Sequence, residues 1–320
     1  MKLAFMFPGQ GSQAVGMGKG FYERSREVRA LYEEASDVLG FDLARLSFDG
    51  PQEALQLTAN TQPAILTASV AAATALAERG VSPALAAGHS LGEYSALVVA
   101  GTLQFTDAVR LVRRRGEFMQ EAVPVEVGAM AAIIGLDLPV VEELCREAVR
   151  PASGGDAEVV SVANINADAQ VVIAGHKGAV ERAVTRAADR GAMKSVLLPV
   201  SAPFHSSLML PAAERLAREI ETVVVSPPKF PVVRNVDAGL TSSAEEVSPF
   251  LVEQVASPVR WTDCVRRMIG EGVTRFVEVG PGRVLTGLLR RISAEVKGYA
   301  VEDPAGLEKA LVALGSARGE

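Results

Sequence analysis

Residues 84–100 read ALAAGHSLGEYSALVVA. Ala84–Gly88 is a short apolar run closed by a glycine, which predicts a buried strand. Leu91–Ala100 is apolar and long enough for a helix. Between them, Gly88-His89-Ser90-Leu91-Gly92 is a G-x-S-x-G pentapeptide. Glycines at 88 and 92 remove the Cβ atoms that would block a sharp strand-to-helix turn. Such a turn stands a serine hydroxyl at the N-terminus of the helix. The N–H of Leu91, next in line, can then point at an oxyanion. Ser90 is therefore a candidate nucleophile. A glycine-rich strand–helix turn without chemistry has the same short pattern, so the surrounding chain decides.

Outward from Ser90, strand and helix patterns alternate. A strand over Leu3–Phe7 ends in the glycine-rich turn Pro8–Gln13. Helices are predicted over Gln62–Arg79 and Thr106–Glu121, the latter opened by Thr106-Asp107. Between 127 and 199 the pattern changes. Strand Val127–Leu136 and helix Pro139–Arg150 are followed by strands Glu158–Ile165 and Gln170–Ala174, joined by Asn166–Ala169. Helix Lys177–Arg190 and strand Lys194–Pro199 complete a β-α-β-β-α-β order, the split-βαβ or ferredoxin-like pattern. Residues 150–158 form its exposed loop, and the unit is small enough to have a core of its own. Helices over Ser207–Thr222, Glu245–Val255 and Thr262–Glu271 follow. Strand Thr274–Val279 runs into Gly280-Pro281-Gly282, with a helix from Arg283, strand Tyr299–Val301 and helix Gly306–Leu314 after it. The expected fold is α/β: a mostly parallel sheet core from 1–126 and 200–320, interrupted by an α+β insert over 127–199.

The bulk numbers exclude several function classes. The chain has 320 residues, 48% hydrophobic and 22% charged, an ordinary globular balance. A net charge of −6 argues against a general nucleic-acid binder. The opening MKLAFMF is too short for a signal-peptide core. No run approaches the ~18 apolar residues of a membrane span. A cytoplasmic protein is expected. Cys145 and Cys264 read as reduced, buried thiols, with no C-x-x-C pair to hold a metal.

A serine nucleophile needs a base. The histidines are His89, His176 and His205. His89 neighbours Ser90 and should point away from the line of attack. His176 opens a helix and reads as an ordinary residue. His205 follows a strand and precedes a helix, which places it at a strand's carboxyl end, where α/β folds gather ligands. The acids between Ser90 and His205 fall mostly in the insert or on helix faces. A neutral carbonyl can orient the imidazole instead.

Six blocks come in a telling order: FPGQGSQ (7–13), NTQPA (60–64), GHSLGEYSAL (88–97), RGEFMQ (115–120), QVVIAG (170–175) and SAPFHS (201–206). In them the chain resembles, over nearly its full length, the malonyl-CoA:acyl-carrier-protein transacylases of bacterial fatty-acid synthesis. The resemblance implies a hydrolase-like α/β core with a ferredoxin-like insert. It implies that Ser90 carries the acyl ester and that His205 acts as general base and then acid. Gln10 would add a backbone N–H to the oxyanion hole beside Leu91, and Arg115 would bind the malonate carboxylate. Gln254 would orient the histidine by its backbone carbonyl, and Gln62 would line the pocket. Phe204 resembles malonyl-selecting relatives. Where the family often has Asn-x-Asn-x-Pro-x-Gln, this chain has Asn164-Ile-Asn-Ala-Asp-Ala-Gln170, without the proline. Malonyl-CoA and an acyl carrier protein are the implied partners, with no metal or redox cofactor, no nucleic acid and no membrane, in a monomer.

Arg115 carries the choice of acyl group. It closes the run Arg113-Arg114-Arg115 in a helix, where successive residues point about 100° apart, so only one of the three can face a given pocket. A guanidinium holds a carboxylate in a two-bond fork. An acetyl substrate would leave it unpaired. Arg113, Arg114 and Arg283 are the cations expected to attract an acidic carrier. A serine esterase or thioesterase shares the elbow and the base but has no use for Arg115. A trans-acting polyketide acyltransferase differs only in partner.

Overall fold

Strand β1 (Lys2–Phe7) is apolar on both faces. Phe5 and Phe7 enter one buried cluster, Ala4 and Met6 another. A strand of that kind belongs inside a sheet covered on both sides. The computed structural model, which describes residues 2–124, 126–149, 158–200 and 202–315, places it there.

After β1 come helices α1 (Lys19–Tyr22), α2 (Arg26–Leu39), α3 (Leu43–Asp49), α4 (Gln52–Gln56) and the long α5 (Thr58–Glu78). Strand β2 (Leu85–Gly88) leads into α6 (Leu91–Val99) and α7 (Phe105–Glu121). Then follow β3 (Gly128–Ile134), α8 (Leu138–Ala148), β4 (Val160–Ala167), β5 (Gln170–His176), α9 (Lys177–Asp189) and β6 (Lys194–Leu197). A 3₁₀ turn, Ser207–Met209, opens α10 (Leu210–Ile220), followed by the short strands β7 (Val232–Val233) and β8 (Leu240–Thr241). The chain closes with α11 (Val247–Ala256), α12 (Trp261–Gly270), β9 (Val273–Val279), α13 (Val284–Ile292), β10 (Lys297–Val301) and α14 (Pro304–Leu314).

Two sheets result. The larger has the order β10-β9-β1-β2-β7-β8, parallel except for the β7–β8 hairpin. The smaller, β4-β5-β3-β6, is antiparallel throughout, the strand arrangement of a ferredoxin-like unit. One face of the small sheet, with Ile133, Val171 and Ile173, packs on Val141, Leu144 and Val180 of α8 and α9. Its other face places Met130, Ala163 and Val172 in the main core cluster. The insert thus shares a core with the large sheet on one side, which is more than the separate small core expected of it.

The structure departs from the sequence reading at particular places. Helices α1–α4 were not foreseen. Two of them carry side-chain caps: Ser25 accepts from the N–H of Val28 in α2, and Asp42 from that of Arg45 in α3. α5 starts at Thr58 rather than Gln62, because the N–H groups of Asn60 and Thr61 both reach Leu57 O. Thr106 does not cap α7. The helix starts at Phe105, and Asp107 pairs with Arg110 at 2.9 Å instead. β4 runs through Ala167, so the expected Asn166–Ala169 loop shrinks to Asp168-Ala169, with Ala169 at φ 54°. The loop expected over 150–158 lies, apart from Glu158, outside the described residues.

Candidate active site

β2 delivers the chain to Gly88, and α6 begins at Leu91. Ser90 sits in the turn at φ 53°, ψ −105°, a conformation that costs a non-glycine residue on the order of 1–3 kcal/mol. Neighbours hold it there. The Ser90 N–H donates to Asn235 Oδ1 at 2.7 Å, and Asn235 Nδ2 donates to Gly88 O at 2.7 Å. The turn also needs its glycines. A Cβ on Gly88 would overlap the Gly92 carbonyl, and one on Gly92 would overlap the Phe7 carbonyl.

His205 meets this serine. Its Nε2 lies 2.7 Å from Ser90 Oγ, and its Nδ1 lies 2.9 Å from Gln254 O. A carbonyl only accepts, so Nδ1 carries the proton. Nε2 then presents its lone pair to the Ser90 hydroxyl. His205 arrives by a different route from the one its sequence position suggests. The preceding strand, β6, is an edge of the small antiparallel sheet, not a strand of the parallel one. The segment after Leu197 carries the chain from that edge back to Ser90. His205 itself has φ 61° and is buried. Burial first, and the Arg115 charge second, push its pKa down to about 3.

Arg115 is 2% exposed, unlike an ordinary surface arginine. Its Nη1 donates to Gln62 Oε1 at 2.9 Å, and its Nη2 to Gln254 Oε1 and Ser90 Oγ, both at 3.0 Å. All three acceptors are neutral. Nε has no partner among the described residues. The guanidinium stands 5.5 Å from the Tyr94 ring centroid, and burial lowers its pKa. A buried cation with no carboxylate in contact is an open position for an anion.

The remaining expected residues converge here or are accounted for elsewhere. Gln10, Gln62, Leu91 and Arg115 line, with Ser90 and His205, one cavity of about 120 Å³. Met119, Met130, Val200 and Phe204 give it an apolar wall. Leu91 is the first residue of α6, where N–H groups lack intrahelical acceptors. The Gln10 side chain is tied to Thr58 Oγ1 at 3.2 Å. A second hollow of about 200 Å³ also borders Gln10, His89, Asn164 and Leu198, and is walled by Val284 and Leu288. His89 points away, donating Nε2–H to Asn166 Oδ1 at 2.8 Å beside Trp261. His176 Nδ1 accepts from Val159 N.

The cations expected to draw a carrier are each neutralised locally. Arg113 pairs with Glu117 and Asn60, Arg114 with Glu117 and Glu219, and Arg283 with Glu302. Two residues that the sequence reading passed over are central. One is Asn235. The other is Glu93, 3% exposed, with its pKa raised to about 7 by burial. Glu93 is the one Asp, Glu, Lys or Arg in residues 84–100, on a helix buried over Leu91–Leu97. That isolation was the available signal. Asn235 had none.

A family model described as the acyl transferase domain matches residues 4–311. The chain belongs to the acyl transferase family. The malonyl CoA-acyl carrier protein transacylase of Bacillus subtilis (strain 168) is 44% identical over 313 residues, 98% of this chain and 97% of that one. Its namesake in Escherichia coli (strain K12) is 48% identical over 311 residues, 97% and 99% of the two chains. The crystal structure of an acyl-carrier-protein S-malonyltransferase from Burkholderia pseudomallei 1710b superposes with a TM-score of 0.93 at 50% identity, covering 98% of this chain and 100% of that one. A malonyl-transacylase solved in complex with a type II PKS acyl-carrier protein gives 0.93 at 48%, with the same coverage.

For this acyl transferase the depressed His205 pKa has a kinetic consequence. A base works in its deprotonated form, and a lowered pKa keeps it deprotonated to lower pH. The rate at which a sub-saturating fluorophosphonate labels Ser90 should therefore show no acidic limb near 6.5, the ordinary histidine value. A rapid-quench pH profile checks this, and a clear limb at 6.5 would contradict the lowered His205 pKa.

Proposed function

We propose that this acyl transferase moves a malonyl group from malonyl-CoA to the phosphopantetheine thiol of an acyl carrier protein, through an ester on Ser90. The observation that carries the acyl choice is Arg115: buried, held by neutral groups only, and 3.0 Å from the nucleophilic oxygen. The malonate carboxylate takes the Nη2–H that Ser90 Oγ holds in its absence and the second Nη1–H, while the Gln62 and Gln254 oxygens stay on the guanidinium.

His205 Nε2 accepts the Ser90 hydroxyl proton as Oγ attacks the thioester carbonyl. The N–H groups of Leu91 and Gln10 hold the oxyanion. The C–S bond breaks, and the proton on His205 passes to the departing CoA sulfur. In the second half the carrier thiol gives its proton to His205, its sulfur attacks the ester, and Ser90 Oγ recovers the proton. This is ping-pong transfer. Every bond and proton is accounted for by the serine, the histidine and the two thiols, so the proposal names no cofactor. The second hollow, bordered by Asn164, Asn166 and Val284, suits an extended thioester arm. We further propose 127–199 as an inserted subdomain within a 1–126 and 200–320 core, in a cytoplasmic monomer.

Hydrolysis is the competing outcome, since a serine esterase shares the same first half. The acceptor on His205 Nδ1 is the Gln254 carbonyl rather than an Asp or Glu, which favours transfer over a hydrolase triad. The test uses malonyl-CoA labelled in the malonyl group, with and without holo acyl carrier protein. Label moving from the enzyme to the carrier is expected. Rapid free malonate without carrier would favour the hydrolase, and label passing only to a polyketide carrier would assign it to that pathway.

A further inference from the structure

Glu93 is a buried acid that the mechanism above does not use. Its Oε2 accepts from two donors, Gln254 Nε2 at 2.7 Å and Asn235 N at 3.1 Å. Each donor residue touches the reacting groups. Gln254 receives His205 Nδ1–H on its backbone carbonyl and Arg115 Nη2–H on its side-chain oxygen. Asn235 receives the Ser90 N–H on its side-chain oxygen. One carboxylate oxygen is therefore the branch point between the supports of nucleophile, base and guanidinium.

The two ends of the Gln254 amide have nearly the same shape but opposite hydrogen-bonding character. Arg115 only donates, so the amide must turn its oxygen that way. Glu93 fixes this choice by accepting from the NH₂ end, with Ser90 O at 3.1 Å as a second acceptor. With Glu93 absent, a flipped amide would set NH₂ against the guanidinium. Helix α11 would lose its shorter tie to α6, and the carbonyl on His205 one of the bonds that set its position. Without its acceptor, Asn235 N would be a buried donor left unpaired, next to the side chain that braces the strained Ser90 turn.

We propose that Glu93 is a positioning residue, aligning Ser90, His205 and Arg115 through Gln254 and Asn235 by the acceptor oxygen it supplies. The effect on acyl choice rests on the malonyl reading above; the effect on Ser90 and His205 does not. The acceptor matters here rather than the charge, because a single oxygen takes both bonds. Glu93→Gln keeps that acceptor. Glu93→Met keeps the volume and removes it. Glu93→Asp draws it back by one methylene.

The test has two readouts on variants whose folding is verified by circular dichroism. One is the rate at which a fluorophosphonate labels Ser90, which reports the serine–histidine pair whatever the natural acyl group. The other is the malonyl-to-acetyl ratio of kcat/KM. E93Q should stay within about threefold of the parent in both. E93M should slow labelling at least tenfold and lower the ratio at least tenfold. If E93M does not fold, E93D decides, with labelling at least threefold slower. Labelling by E93M or E93D as fast as the parent, or a tenfold loss in E93Q, would overturn the proposal. A parent enzyme without any malonyl preference would defeat the reading of Arg115, while the labelling rates would still decide on Glu93.

Discussion

Ser90→Ala should lower malonyl transfer by about 10⁴-fold or more and leave no label on the protein after incubation with malonyl-CoA. Removing the nucleophile of a serine enzyme costs on this scale, because base and oxyanion donors cannot form the covalent intermediate without it. The loss should be chemical rather than structural. The turn is held by backbone and by Asn235, and the bond from Ser90 N to Asn235 Oδ1 does not involve the hydroxyl. Alanine must still occupy φ 53°, so the melting temperature should be measured alongside. A folded S90A enzyme that transfers malonyl within tenfold of the parent would remove the ester from the mechanism.

Arg115→Ala should act on substrate choice. Removing the cation takes away the charge-assisted fork to the carboxylate, worth on the order of 3–4 kcal/mol at a buried site. That corresponds to a fall of about 10²–10³-fold in kcat/KM for malonyl-CoA. Acetyl transfer should hold or rise. In the parent an acetyl group leaves the guanidinium unpaired, and in the variant that penalty is gone. Acetyl transfer is also the control for folding, since a misfolded variant loses both activities. Arg115→Lys should recover little, because an ammonium cannot span the Gln62 and Gln254 oxygens as the planar fork does. Equal loss for both acyl groups would show that Arg115 supports the site without reading the substrate.

Much of the fold is written in local pattern. β1 and β2 read as buried strands because both of their faces are apolar. The β-α-β-β-α-β order of the insert follows from short apolar runs with two helix patterns set between them. The first helices, Lys19–Gln56, were overlooked for a different reason: three of the four are seven residues or shorter, too short for periodicity to show. The site divides in the same way. Ser90 has a signature because its turn demands glycines on both sides. The position of His205 beside it is a tertiary fact, made by a segment that returns from the edge of another sheet, and its sequence neighbours suggested the wrong strand. Gln62, Arg115 and Gln254 are legible only through resemblance, since nothing in a helix pattern tells a buried guanidinium from a solvated one. Glu93 was visible as an isolated acid in an apolar helix, and the search for a triad acid on His205 passed over it because it acts one amide further away.

The cavity in front of Ser90 has two owners. Gln62, Arg115 and Met119 come from α5 and α7, outside the insert, while Met130, Asn164, Leu198 and Val200 come from the small sheet or the segment leaving it. The Ser90 turn lies between β2 and α6, outside the insert, whereas His205 follows the segment that leaves the small sheet. Reshaping β3 at Met130 can alter the room in front of Ser90 without touching the strained turn or the segment that delivers His205. That gives an engineer a place to widen the pocket: residue 130, across the seam from Ser90.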